Sequence, residues 1–318
     1  MSVLPPPSRP GLASPLPPAT PPASHTSHAS PVSAASAASL SVVGRLRAAG
    51  CVFAEDEAAL LMAATVDAAD LTALVDRRVA GLPLEHVLGW AEFRGLRIAV
   101  DPGVFVPRRR TEFLVHRAVT LARPGAVIVD LCCGSGAVGV ALAEELAGEP
   151  SGEPVRPPGG TRGGDGPTGV QLPGVQLHCV DIDPAAVRCA RRNARAVGGL
   201  AYEGDLYDPL PRTLRGSVDV LLANAPYVPT DEIGLLPAEA RIHEARVALD
   251  GGTDGLDVLR RVAAGAAEWL APGGSMLSET SERQAAEARE IVARAGLTAW
   301  VAVSEEWDAT VVAGTRRG

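Results

Sequence analysis

The 318-residue chain contains no lysine, and all 29 of its basic residues are arginine. That absence excludes a Walker-type phosphate lysine and any Schiff-base or pyridoxal-binding lysine. With 34 glycines and 27 prolines it reads as a coding bias rather than a functional choice. The five cysteines (Cys51, Cys132, Cys133, Cys179, Cys189) form no C-x-x-C cluster, and the six histidines show no ligand spacing, so the sequence indicates no metal site. An odd thiol count without a disulfide framework predicts a reducing, cytoplasmic setting. No apolar run reaches the roughly 18 to 20 residues that span a bilayer, and the first residues lack the basic start and apolar stretch of a signal peptide. A formal charge of -8 argues against broad contact with nucleic acid. What remains is 47% apolar residues, enough for one large core and one small one.

Residues 1–38 are Pro, Ser and Ala with too few large apolar side chains to offset ordering entropy, so a disordered tail is expected. A true start codon downstream of it is an equally simple account. Over 39–90 apolar residues recur at helical spacing, Leu60, Leu61 and Ala64, then Leu71, Leu74 and Val75. Gly50 and Gly81 serve as stops and Asp70 as a cap, which predicts a small helical domain. Residues 91–110 read as a linker hairpin. From 111 to 318 strands and helices alternate, with strands at 126–131, 175–181 and 218–223 among them, the pattern of a parallel, doubly wound α/β sheet. The Gly- and Pro-rich stretch 148–174 interrupts this pattern as a flexible insertion.

Two elements carry the chemistry. The first, Val127-Ile128-Val129-Asp130-Leu131-Cys132-Cys133-Gly134-Ser135-Gly136, runs from a strand into a turn that opens a helix. Gly134 and Gly136 there allow backbone to approach a ligand, and the helix N-terminus offers free N–H groups. Asp181, ending the next strand, is placed to accept from both ribose hydroxyls of a nucleotide, an arrangement that fits NAD and S-adenosylmethionine alike. Asp183-Pro184 reads as a helix start. Asp205 is placed either to accept from an adenine amino group or to sit in a solvated turn. The adjacent Cys132 and Cys133 close no ordinary disulfide without strain and read as small spacers. The second element, Asn224-Ala225-Pro226-Tyr227, follows the apolar strand 218–223. It offers a side-chain carbonyl, a backbone carbonyl and an aromatic face to one planar NH2 group.

In this order, these residues resemble the HemK/PrmC family of protein-(glutamine-N(5)) methyltransferases, whose donor text reads D-x-G-x-G-x-G and whose acceptor text reads N-P-P-Y. Gly89-Trp90-Ala91-Glu92-Phe93-Arg94-Gly95 and Phe105-Val106-Pro107-Arg108 resemble the family's hairpin, G-x-x-x-F-x-G and I-P-R-P-E-T-E. Ala248-Leu249-Asp250-Gly251-Gly252-Thr253-Asp254-Gly255-Leu256 resembles A-L-x-G-G-x-D-G-L. The likeness runs over roughly residues 40–318.

The resemblance implies a small helical, substrate-binding domain on a Rossmann-like, seven-stranded class I methyltransferase domain, with S-adenosyl-L-methionine as methyl donor. It implies a peptide-chain release factor as protein substrate, methylated on the glutamine of its Gly-Gly-Gln loop. Asp130, Gly134, Gly136, Asp181 and Asp205 would hold the donor. Ala225, Pro226 and Tyr227 would hold the acceptor, and Asn224 would border both. Four positions depart from the family text: Cys132 replaces the first glycine of the donor turn, Arg109 and Arg110 replace Pro-Glu, and Ala225 replaces the first proline of N-P-P-Y. They leave two alternatives open, a different acceptor (another protein glutamine, as in a ribosomal protein, or a base amine) and a domain that binds the donor without transferring methyl groups.

Overall fold

The computed structural model describes residues 31–148 and 174–318, with side chains from 39 onward, so most of the expected tail and nearly all of the expected insertion lie outside the described residues. Helix α1 (Pro31–Ala48) begins eight residues inside the stretch read as tail. Its Ala-rich start adds one backbone hydrogen bond per residue at little side-chain entropy, so it extends the amphipathic part that follows. Helices α2 (Ala54–Ala63), α3 (Ala68–Val79) and α4 (Leu84–Leu88) complete a helical unit around Leu46, Leu61 and Val75. Asp70 is not the cap of α3. Asp67 is, and its carboxylate accepts the Asp70 backbone N–H at 2.8 Å, so the helix starts one turn earlier than expected.

Strands β1 (Trp90–Phe93) and β2 (Leu96–Ala99) form an antiparallel hairpin. Arg94 and Gly95 both take positive φ at its tip, the two-residue turn that matches strand twist. Helix α5 (Glu112–Val119) then leads into an alternation of β3 (Val127–Leu131), α6 (Ala137–Ala147), β4 (Gln176–Asp181), α7 (Pro184–Ala194), β5 (Leu200–Glu203) and β6 (Val218–Ala223). A long connection containing α8 (Ala238–His243) precedes α9 (Asp257–Trp269), β7 (Leu270–Thr280), α10 (Ala285–Arg294), β8 (Thr298–Ser304) and β9 (Ala309–Thr315). Asp183 caps α7 by accepting the Ala185 N–H at 2.8 Å, with Pro184 at the first helical position, as its sequence predicts.

The seven strands order β5-β4-β3-β6-β7-β9-β8, with β9 antiparallel to both neighbours and every other pair parallel. All six residues of β6 are buried, as a strand covered on both faces requires. Strand order reverses between β3 and β6, and the carboxyl ends of strands flanking such a switch form a crevice. Among the described residues no helix is long and apolar enough to cross a membrane.

Candidate active site

A cavity of about 510 Å³ opens at that crevice, lined by the β3 turn, the ends of β4 and β5, the segment after β6, α4 and α8. Every candidate donor or acceptor residue reaches its wall except Gly136, which opens α6 just behind it. The register explains the meeting: Leu131 of β3 pairs with Ala223 of β6, so Cys132 and Asn224 leave adjacent strands at the same height.

On one side the β3 turn coils through three left-handed residues, Cys132 (φ 53), Gly134 (φ 55) and Gly136 (φ 80). The cysteine therefore keeps the backbone that glycine takes freely, at a cost of roughly 1 to 2 kcal/mol. Its thiol lines the cavity, and burial pushes its pKa up. Asp130 is fully buried, and its Oδ2 accepts the Gly139 N–H of α6 at 2.9 Å. Its Oδ1 has no hydrogen-bond partner among the described residues. Burial raises this carboxyl to about 7, opposed by the Gly139 N–H and helped by the nearby Asp181 charge.

Asp181 does more than face a ligand. Its Oδ2 accepts the Gly134 N–H at 2.8 Å and its Oδ1 accepts the Asp183 N–H at 2.9 Å, which ties the turn to the end of β4. Each oxygen keeps a second lone pair, and burial raises its pKa. Asp205 accepts from Arg261 of α9 at 2.6 Å, a partner the sequence did not suggest.

On the other side, no described donor engages the Ala225 carbonyl or the Asn224 side chain, and both residues line the cavity. The backbone beyond them is gripped. Val228 N–H donates to the Leu249 carbonyl, Gly251 N–H to the Val228 carbonyl and Thr230 N–H to the Gly252 carbonyl, at 2.9–3.2 Å. A Cβ on Gly251 would lie 2.6 Å from the Pro226 oxygen, and one on Gly255 2.2 Å from the Tyr227 oxygen, so the glycines of the 248–256 loop are there for close approach. Gln284 closes the cradle: its amide nitrogen donates to the carbonyls of Tyr227 (3.0 Å) and Asp254 (2.9 Å), while its Oε1 caps the turn at Ser281.

The Tyr227 hydroxyl donates to Glu279 Oε1 at 2.9 Å and accepts from Arg110 at 2.7 Å. Burial, then the Glu279 charge, holds its pKa well above the usual phenol range. Two more ion pairs brace the far wall. Glu244, buried, accepts from Arg108 at 2.6 and 2.8 Å. Arg78, buried among α2 and α3 on Glu57, reaches Glu239 of α8 at 2.6 Å. Glu279, Gln284, Glu244, Glu239 and Arg78 escaped the sequence reading. The available signals were an acidic residue ending a predicted apolar strand, for Glu279, and the Ser-x-x-Gln spacing at 281–284.

The strand order and the glycine-bearing turn beside an unpartnered buried carboxylate, with Asn224-Ala225-Pro226-Tyr227 one strand away, are those of a class I S-adenosylmethionine-dependent methyltransferase. No family model matches the chain. A release factor glutamine methyltransferase of Geobacter sulfurreducens is 36% identical over 225 residues, covering 70% of this chain and 69% of that one. The chain belongs to the release factor glutamine methyltransferase family. A 4-amino-L-phenylalanine/4-methylamino-L-phenylalanine methyltransferase of Streptomyces pristinaespiralis is 34% identical over 221 residues, covering 67% of this chain and 65% of that one. A solved methyltransferase from Pyrococcus furiosus aligns with a TM-score of 0.49 at 14% identity, over 79% of this chain and 100% of that one.

Proposed function

We propose that this enzyme methylates the side-chain amide nitrogen of a protein glutamine, that of the Gly-Gly-Gln loop of a peptide-chain release factor. The observation that carries the reading is the Leu131–Ala223 register, which sets the donor turn and two unpartnered carbonyl acceptors on one cavity.

The residues fit the donor. Asp130 Oδ1 is an orphaned buried acceptor suited to an ammonium or sulfonium, Asp181 retains lone pairs for ribose hydroxyls, and Asp205 stands beside them for an adenine amine. When bound, S-adenosylmethionine supplies an electrophilic methyl group on a cationic sulfur. The chain's own residues do the rest by orientation. An amide nitrogen is a poor nucleophile because its lone pair is delocalised. Asn224 Oδ1 and the Ala225 carbonyl accept its two N–H groups, Tyr227 covers its plane, and the lone pair is directed at the donor side. Orientation of this kind supplies up to roughly 7 to 11 kcal/mol. Tyr227 stays protonated in this role, since burial and Glu279 disfavour the phenolate. The methylated amide sheds its extra proton to solvent after transfer. A cytoplasmic setting follows from such a substrate.

A second reading takes a free aromatic amine as acceptor, supported by the similarity to the aminophenylalanine enzyme, since Asn224 and Ala225 would hold any planar NH2. Transfer of labelled methyl to a purified release factor, with its Gly-Gly-Gln glutamine changed to alanine in a parallel sample, separates the two. Label that depends on that glutamine supports the first reading, and label on 4-aminophenylalanine alone replaces it with the second.

A further inference from the structure

We propose that Arg110 is a positioning residue for methyl transfer, holding the Tyr227 ring in place through a closed ring of hydrogen bonds with Glu279. The proposal rests on the reading of Tyr227 as the cover of the acceptor amide. Position 110 is where the family's hairpin text carries glutamate, so the guanidinium is a feature of this chain rather than of the motif.

Three bonds close the ring. Arg110 Nη2 donates to the Tyr227 hydroxyl at 2.7 Å, that hydroxyl donates to Glu279 Oε1 at 2.9 Å, and Arg110 Nε donates to the same Oε1 at 3.1 Å. The Glu279 side chain is 3% exposed and its Oε2 has no described partner, so the Arg110 cation is what neutralises it. A carboxylate at 110 would place two like charges around one phenol and lose both Arg110 bonds. Gln284 fixes the backbone of Tyr227 at the other end. With carbonyl and hydroxyl both anchored, the tyrosine is held at its two ends and its ring cannot swing away from the cavity wall. Arg110 itself lies half-exposed at the cavity wall and its guanidinium carbon is 5.9 Å from the ring centroid, so it acts on the acceptor through the tyrosine.

The test is a double-mutant cycle of Arg110→Gln and Tyr227→Phe, with kcat for release factor methylation and donor affinity by calorimetry. We expect Arg110→Gln to lower kcat about tenfold, equivalent to ~1.4 kcal/mol, with donor affinity unchanged. In the Tyr227→Phe background the same change should cost less than about twofold, and Arg110→Lys should recover part of the loss. An equal loss in both backgrounds, or donor affinity falling in step with kcat, overturns the proposal. Tyrosine-selective NMR gives a readout independent of the acceptor, because the chain has only three tyrosines. The Tyr227 ring signals should shift and broaden in Arg110→Gln, as the phenol loses its donor and the ring its anchor, and identical spectra overturn the proposal too. Should the wild type leave release factor unmethylated, the functional reading falls while the ring spectra still decide the role of Arg110.

Discussion

The two halves of the proposed site, one for the donor and one for the acceptor, are held by different means. The donor half is backbone: three left-handed residues within five positions, a helix start, and carboxylates on neighbouring strand ends that accept N–H groups a few residues or one strand away. The acceptor half adds long-range side-chain bonds to the backbone grip of the 248–256 loop. Asn224 to Tyr227 are kept in place by Gln284, Glu279 and Arg110, and the wall facing them by Arg108–Glu244 and Arg78–Glu239, pairs separated by 52 to 161 positions. The donor half accommodates a cysteine at a glycine position because its backbone path is over-determined. The acceptor half accommodates an arginine at a glutamate position because a buried carboxylate stands ready to pair with it.

The contrast breaks most sharply at Asn224. Asn224→Ala should lower kcat by roughly a thousandfold, ~4 kcal/mol, with donor affinity by calorimetry nearly intact. A parallel loss of donor binding would show that the halves are not separable. Next in size is Asp130, whose carboxyl rises on folding from 3.8 to about 7. The folded state then holds more protons than the unfolded state across that window, so stability falls as pH climbs from about 4 to 7, on the order of 3 kcal/mol. Denaturant unfolding between pH 5 and 8 should show this slope in the wild type and lose it in Asp130→Asn. A cationic donor favours the carboxylate, so donor binding near pH 7 should also release protons, seen as a buffer-dependent calorimetric heat. The smallest effect is expected at Cys132. Cys132→Gly relieves about 1 to 2 kcal/mol of left-handed strain but adds roughly 0.5 to 1 kcal/mol of unfolded-state entropy, leaving a gain of about 0.5 kcal/mol. A clear loss of melting temperature would mean that the thiol packs usefully.

This division also explains what could be read in advance. The β3 turn, the end of β6 and the Asp183-Pro184 start are contiguous and announce themselves through glycine, proline and apolar runs. The seven-strand alternation was legible for the same reason. Glu244 and Arg78 carry no local pattern and Glu279 only its place at the end of an apolar strand, because their partners are brought to them only by the closed sheet and the docked helical unit. Asp67 lost to Asp70 as the expected cap since either acid fits a helix start, and only the backbone decides which one precedes the first turn.

Strand β9 lies between β7 and β8 although it follows both in the chain. In the chain β3, β4, β5 and β6 come first, whereas the far edge of β7 is covered only by the β8–β9 hairpin that follows it. Glu279 and Thr280 pair with Val311 and Thr310 across that seam. The strands that flank the crevice thus lie earlier in the chain than the hairpin that covers β7 beside Glu279.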